Sequence, residues 1–178
     1  MRRPLVALFA LLGLCGLMGG GALAETPFKR TGFRSDLFSD TPYIAAVPRD
    51  HPLADKSCLG PADIVTGPFI SWTPFVAAGQ LIAQAFKSCG VALDAACEVT
   101  LSASAYEMAK QGTGVALVDP YTALKMHDDR VRLVPFAPTI PFNVALLRPD
   151  SRPASRAVEA LLDILQTERD RLMDRLPR

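Results

Sequence analysis

Glu107-Met-Ala-Lys-Gln-Gly-Thr-Gly-Val-Ala-Leu-Val-Asp-Pro120 is the stretch that decides the fold. Its opening residues favour a helix, and Gly112 supplies the left-handed turn that stops one. Gly114 to Val118 is then an unbroken apolar run, the pattern of a strand covered on both faces. Asp119-Pro120 reads as an N-cap followed by a proline in the first turn of another helix, through Met126. Helix, buried strand and helix in so short a span is the rhythm of an α/β domain.

The same rhythm extends in both directions. Tyr43 to Val47 is a β-type run that Pro48 ends, and His51-Pro-Leu-Ala54 is a turn into a short helix. Gly67-Pro68 introduces the strand Phe69-Ile-Ser-Trp72. Thr73-Pro74 predicts an N-cap and a first-turn proline for a helix to about Cys89. Phe75, Ala78, Ile82, Ala85 and Phe86 fall on one face of that helix, and Gly90 is its stop. Cys97 to Leu101 is strand-like, and Ser104-Ala-Tyr-Glu107 has the spacing of a capping box. Val131 to Phe136 and Phe142 to Leu147 are further strands. Ser151 to Pro153 opens a final helix with Val158, Leu161, Leu162, Leu165, Leu172 and Met173 at helical spacing. The expectation is an α/β domain with a largely parallel sheet flanked by helices.

Composition narrows the function. The 178 residues are 49% hydrophobic and 21% charged, with 19 basic and 18 acidic side chains, and the net charge of +1 offers no reason to bind nucleic acid. The apolar residues are unevenly placed. Arg2-Arg3 precede 21 uncharged residues from Pro4 to Ala24, which contain an apolar run from Leu5 to Met18 and end in Gly-Gly-Gly-Ala-Leu-Ala24. That is the pattern of an export leader cut after Ala24. The alternative is upstream sequence translated from a mis-assigned start. Contact with a membrane is expected only if the leader stays uncleaved. Without residues 1–24 the chain would carry 17 basic and 18 acidic side chains. Cys58, Cys89 and Cys97 have no C-x-x-C spacing and read as buried free thiols, with a Cys89–Cys97 pair open only to an exported domain.

No catalytic motif stands out. Gly-x-Ser-x-Gly, a Walker loop and H-E-x-x-H are absent. Gly112-Thr-Gly114 ends a helix where a phosphate loop would open one. His51 reads as a turn residue and His127 as a solvated helix end. No enzyme, cofactor or metal site is expected. What remains is binding chemistry. Ser71, Trp72, Thr73, Pro74 and Phe75 lie where a strand hands over to a helix, the place where ligands settle in open α/β sheets. A helix N-terminus favours a carboxylate, the hydroxyls of Ser71 and Thr73 suit its oxygens, and Trp72 or Phe75 suits an apolar part. Ser102 and Ser104 lie at a second such junction. The plainer alternative is that Thr73 and Ser104 only cap their helices.

Four segments in order carry a resemblance. They are Tyr43-Ile-Ala-Ala-Val-Pro-Arg-Asp-His-Pro-Leu-Ala54, Gly67-Pro-Phe-Ile-Ser-Trp72, Glu107 to Pro120, and Phe142-Asn-Val-Ala-Leu-Leu147 with the closing helix. Together they resemble the effector-binding domain of LysR-type transcriptional regulators over roughly Leu23 to Met173. Val-Asp-Pro-Tyr-Thr-Ala123 is similar to members that sense opines and related amino-acid derivatives. The resemblance implies a periplasmic-binding-protein-like fold: one complete lobe, the C-terminal strand and helix of another, and a small carboxylate or amino-acid derivative held in the cleft. It assigns the effector to Ser71, Trp72, Thr73, Pro74 and Phe75, the residues already singled out. It also implies a cytoplasmic homodimer in which residues 25–174 sense but do not touch DNA, since no segment reads as the family's helix-turn-helix. Two other expectations are an exported solute-binding module and an inert fragment of a regulator.

Overall fold

The structure is a computed structural model that describes residues 22–25, 31–151 and 155–177. Eight strands are present among them: β1 (Ala22–Glu25), β2 (Phe33–Pro42), β3 (Ile44–Pro48), β4 (Phe69–Trp72), β5 (Cys97–Val99), β6 (Val115–Val118), β7 (Val131–Val134) and β8 (Pro141–Pro149). The helices are α1 (Pro61–Ile64), α2 (Ala77–Ser88), α3 (Ser102–Lys110), α4 (Pro120–Lys125) and α5 (Arg156–Met173). The described residues form two compact units, one of residues 42–141 with 175–177, the other of residues 22–25 and 31–41 with 142–151 and 155–174.

The larger unit is built on a five-stranded sheet in the order β5-β4-β6-β3-β7. β4 runs parallel to β5 and β6, while β3 is antiparallel to both β6 and β7. Four strands therefore share one direction and β3 opposes them. β3 is inside on every side, with Ala45, Ala46 and Val47 fully buried, which is why its sequence is apolar without alternation. One face of the sheet packs Ile44, Ala46, Ile70, Ala116 and Val118 against Ala105, Tyr106 and Ala109 of α3. On the other, Phe69 stacks on Phe86 of α2 at 5.4 Å between ring centroids, and Phe86 on Phe136 at 6.4 Å.

Glycine ends the two helices as expected. Gly90 and Gly112 have φ of +69° and +78°. Behind them Val91 N–H reaches Phe86 O, and Thr113 N–H reaches Met108 O, both at 3.1 Å. This six-to-one closure satisfies carbonyls the helix leaves open. Gly112-Thr113-Gly114 is thus a helix stop leading into β6. A different constraint acts at Gly79, where a Cβ would lie 2.1 Å from Thr73 O. Only hydrogen lets α2 approach the end of β4 so closely.

The starts of the helices differ from the sequence expectation. Thr73-Pro74 caps no helix: both lie in a turn, and α2 begins after Val76. α3 begins two residues before Ser104, so Ser104-Ala-Tyr-Glu107 lies inside the helix and forms no capping box. Phe75 is 92% exposed and leaves the apolar face of α2 to Ala78, Gly79, Ile82, Ala85 and Phe86. Asp119 does cap α4, its carboxylate accepting from Thr122 N–H at 2.8 Å. α5 is capped by Ser155; of the expected start at 151–153, residues 152–153 lie outside the described residues. The thiols are free, but Cys58 and Cys89 are exposed rather than buried and Cys97 is intermediate.

The smaller unit holds the sheet β1-β8-β2 and α5. β2, ten residues long, had no clear alternation to announce it. It is fastened by Thr41 Oγ1 donating to Phe142 O at 2.9 Å and Asp150 N–H donating to Gly32 O at 3.0 Å. Arg148 pairs with Asp36, and the Arg169 guanidinium of α5 lies 5.2 Å from the centre of the Phe38 ring. Residues 1–21 of the proposed leader lie outside the described residues, whereas Ala22–Glu25 forms β1. No helix among the described residues is long and apolar enough to cross a membrane.

Two outcomes follow. Gly79→Ala is expected to lower stability by about 1–3 kcal/mol, because the methyl group must displace a backbone carbonyl; urea unfolding measures it. Asp63 is held below its ordinary value of 3.8 by the Lys56 ammonium and the Gly60 N–H. A depressed carboxylate stabilises above its unfolded pKa, and this contribution is lost as pH falls through the folded value. Asp63→Asn should therefore lower the urea midpoint at neutral pH, the gap from wild type closing as pH falls below the ordinary carboxylate value of 3.8.

Candidate functional site

Parallel strands put their carboxyl ends on one edge of the sheet, and here β4, β5 and β6 deliver Trp72, Val99 and Val118 to that edge. Each is followed by a helix within a few residues. The three junctions are stitched together by polar contacts that connect distant parts of the chain.

At the first junction the backbone turns sharply. Thr73 N–H donates to Val99 O at 2.9 Å, Val76 N–H to Thr73 O at 3.3 Å, and Gln80 Nε2 to Pro74 O at 3.3 Å. Ser71 is buried, its hydroxyl making a long 3.4 Å bond to the adjacent Trp72 O. Trp72 is half-buried, and its indole Nε1–H donates to Leu117 O at 2.8 Å. The last paired residue of β6 toward β4 is Ala116. The indole thus supplies a donor just where the β4–β6 ladder ends. The Trp72 ring also meets Tyr43 edge-on, with centroids 6.0 Å apart. Trp72 is a fixed wall whose N–H is already used; Pro74 and Phe75 face solvent.

The second junction joins the third. Ser102, the first residue of α3, is buried, and its Oγ accepts from Asp119 N–H at 2.8 Å. Asp119 in turn caps α4. Ser104 is exposed one turn into α3. The residues preceding α2 and α3 are Val76 and Leu101, neither of which can cap with a side chain. The edge therefore presents two helix starts without side-chain acceptors, the Thr73 and Ser104 hydroxyls, and the exposed apolar groups of Phe75 and Leu101. Such a surface suits an anion with an apolar portion. No group of three or more His, Cys, Asp or Glu that could hold a metal ion occurs among the described residues.

Of the sequence-predicted residues, Ser71 to Phe75 lie together at the first junction, and Ser102 and Ser104 belong to the second. Asp119 went unrecognised as a partner of Ser102, because a bond across seventeen residues leaves no periodic trace. Leu101 was missed because an apolar residue before a helix carries no capping signal.

The five-stranded sheet with its strand–helix junctions on one edge has the architecture of the periplasmic-binding-protein-like fold. The chain belongs to the family described as the LysR substrate binding domain, which matches residues 21–170. It is 32% identical over 154 residues to the transcriptional activator protein LysR of Escherichia coli (strain K12), covering 86% of this chain and 50% of that protein. It is 29% identical over 127 residues to the regulatory protein NocR of Agrobacterium tumefaciens (strain T37), covering 69% and 42%. The chain thus spans about half the length of these relatives. Among solved structures it is similar to HinK, a LysR family transcriptional regulator from Pseudomonas aeruginosa, with a TM-score of 0.72 at 15% identity over 94% of this chain and 65% of that one. It also resembles the effector binding domain of BenM with its effector benzoate, at a TM-score of 0.67 and 14% identity over 96% and 78%. The Synechocystis PCC6803 CcmR regulatory domain in complex with 2-PG matches at 0.67 and 15% over 90% and 77%. LysR is named as a transcriptional activator, HinK as a transcriptional regulator and NocR as a regulatory protein.

Ser102→Ala removes the acceptor of the buried Asp119 N–H. A loss of about 1–3 kcal/mol is expected, and denaturant titration of the variant against wild type checks it.

Proposed function

We propose that the chain is the small-molecule sensor of a LysR-type transcriptional regulator. Membership of the substrate-binding family over residues 21–170 carries this reading. The effector is a small carboxylate or amino-acid derivative. It rests on the junction edge, its carboxylate directed to the N–H groups that open α2 and α3 and to the Thr73 and Ser104 hydroxyls. Trp72 and Phe75 flank its apolar part. Benzoate, the effector named with BenM, is a carboxylate of this sort. Ser71 and Ser102 support the site from beneath, since both are buried and Ser102 is bonded to Asp119.

Sensing and DNA contact are separate tasks in this reading. With 17 basic and 18 acidic side chains beyond residue 24, the sensor has no excess of charge with which to hold phosphates. By family resemblance it works in the cytoplasm as a homodimer.

The test is thermal unfolding against a panel of carboxylates and amino-acid derivatives. A true effector at a hundred times its Kd adds about 2.7 kcal/mol to stability. Thr73→Ala is expected to weaken binding about tenfold, by loss of one hydrogen bond to a charged group. No shift with any carboxylate, or an unchanged shift in Thr73→Ala, would refute the assignment.

A further inference from the structure

Ala22-Leu23-Ala24 serves two incompatible purposes. Small residues at alternate positions behind an apolar run are what a leader-removing peptidase reads, with the cut after Ala24. In the folded chain the same residues form β1, antiparallel to β8 with Ala22 opposite Leu147, Leu23 opposite Leu146, Ala24 opposite Ala145 and Glu25 opposite Val144. A peptidase takes its substrate as extended, unpaired backbone, and a segment held in a β-ladder is reached only when the ladder opens.

The cost of opening is set by the place of β8. It is the middle strand of its sheet, with β1 on one side and β2 on the other. Ala145 and Leu147 are 1% and 4% exposed, so this part of β8 belongs to the core of the smaller unit. A cut after Ala24 would remove three of the four residues paired with it. The central strand would become an edge, with a row of unmatched N–H and C=O groups open to other chains.

We infer that pairing of β1 with β8 closes the Ala24–Glu25 bond to processing, and that the folded chain retains Ala22–Glu25 as a working strand. Cleavage after Ala24 and formation of β1 are alternatives. A chain cut after Ala24 was cut before β1 formed, and it folds without the cover of one side of β8. This inference stands apart from the identity of the effector and from the edge of the larger sheet.

Two measurements on the full chain test it. In hydrogen exchange, the amides of residues 22–25 are expected to be slowed, as a group, about tenfold or more relative to the same chain unfolded in denaturant; exchange at the unfolded rate would overturn the inference. Intact mass of the folded protein recovered from cells is expected to include Ala22–Glu25. A species beginning at Glu25 that unfolds cooperatively at the same temperature as the full chain would overturn it, because β1 would then be dispensable. A species beginning at Glu25 that unfolds well below the full chain, or is recovered only as aggregate, supports it.

Discussion

A strand enclosed on both faces and both edges governs the larger unit. β3 has β6 and β7 on its two sides, and Ile44 to Val47 are all buried. Every backbone N–H and C=O of such a strand must be matched within the sheet, and every side chain must meet another apolar surface. α3 answers for one face through Ala105, Tyr106 and Ala109, small residues that allow close contact around one large ring. The Phe69–Phe86–Phe136 stack answers for the other. α2 and α3 fall on opposite faces because the chain steps from β4 to β5 in one direction and back past β4 to β6 in the other, and both crossovers share one hand.

The junction edge is a by-product of that enclosure. Once three parallel strands end together, the helices that follow must start at the same edge, and their first N–H groups have no partner within the helix. Elsewhere in the chain side chains meet this need: Asp119 at α4 and Ser155 at α5. At α2 and α3 the preceding residues are Val76 and Leu101, and the need is left to whatever occupies the edge. Three contacts hold their surroundings in place. Gly79 locks α2 against Thr73, Ser102 ties α3 to Asp119, and the Trp72 indole ties β4 to β6. A ligand meeting a preformed edge of this kind would have no loop to order.

The LysR relatives give the domain its setting. The chain spans half of the Escherichia coli LysR activator and belongs to the substrate-binding family over residues 21–170. The chain's own charge is close to neutral, which gives it no electrostatic reason to hold phosphates.

Much was legible without coordinates, and the reason is the range of the forces involved. Strand-like runs, the glycine stops at Gly90 and Gly112 and the Asp119 cap depend on residues at most six positions apart, so they leave periodic or punctuating marks in the sequence. The order of four such marks was enough to reach the LysR family. Tertiary structure decided what depends on partners far along the chain. β1 and β2 exist because β8, more than a hundred residues away, completes their ladders. α2 starts at Ala77 and not at Pro74 because Thr73 is drawn to Val99, which leaves Phe75 in solvent. Ser102 serves Asp119 because two junctions meet on one edge. Local chemistry set which segments form, while long-range pairing and close packing set where each begins and which of its side chains stay available to a ligand.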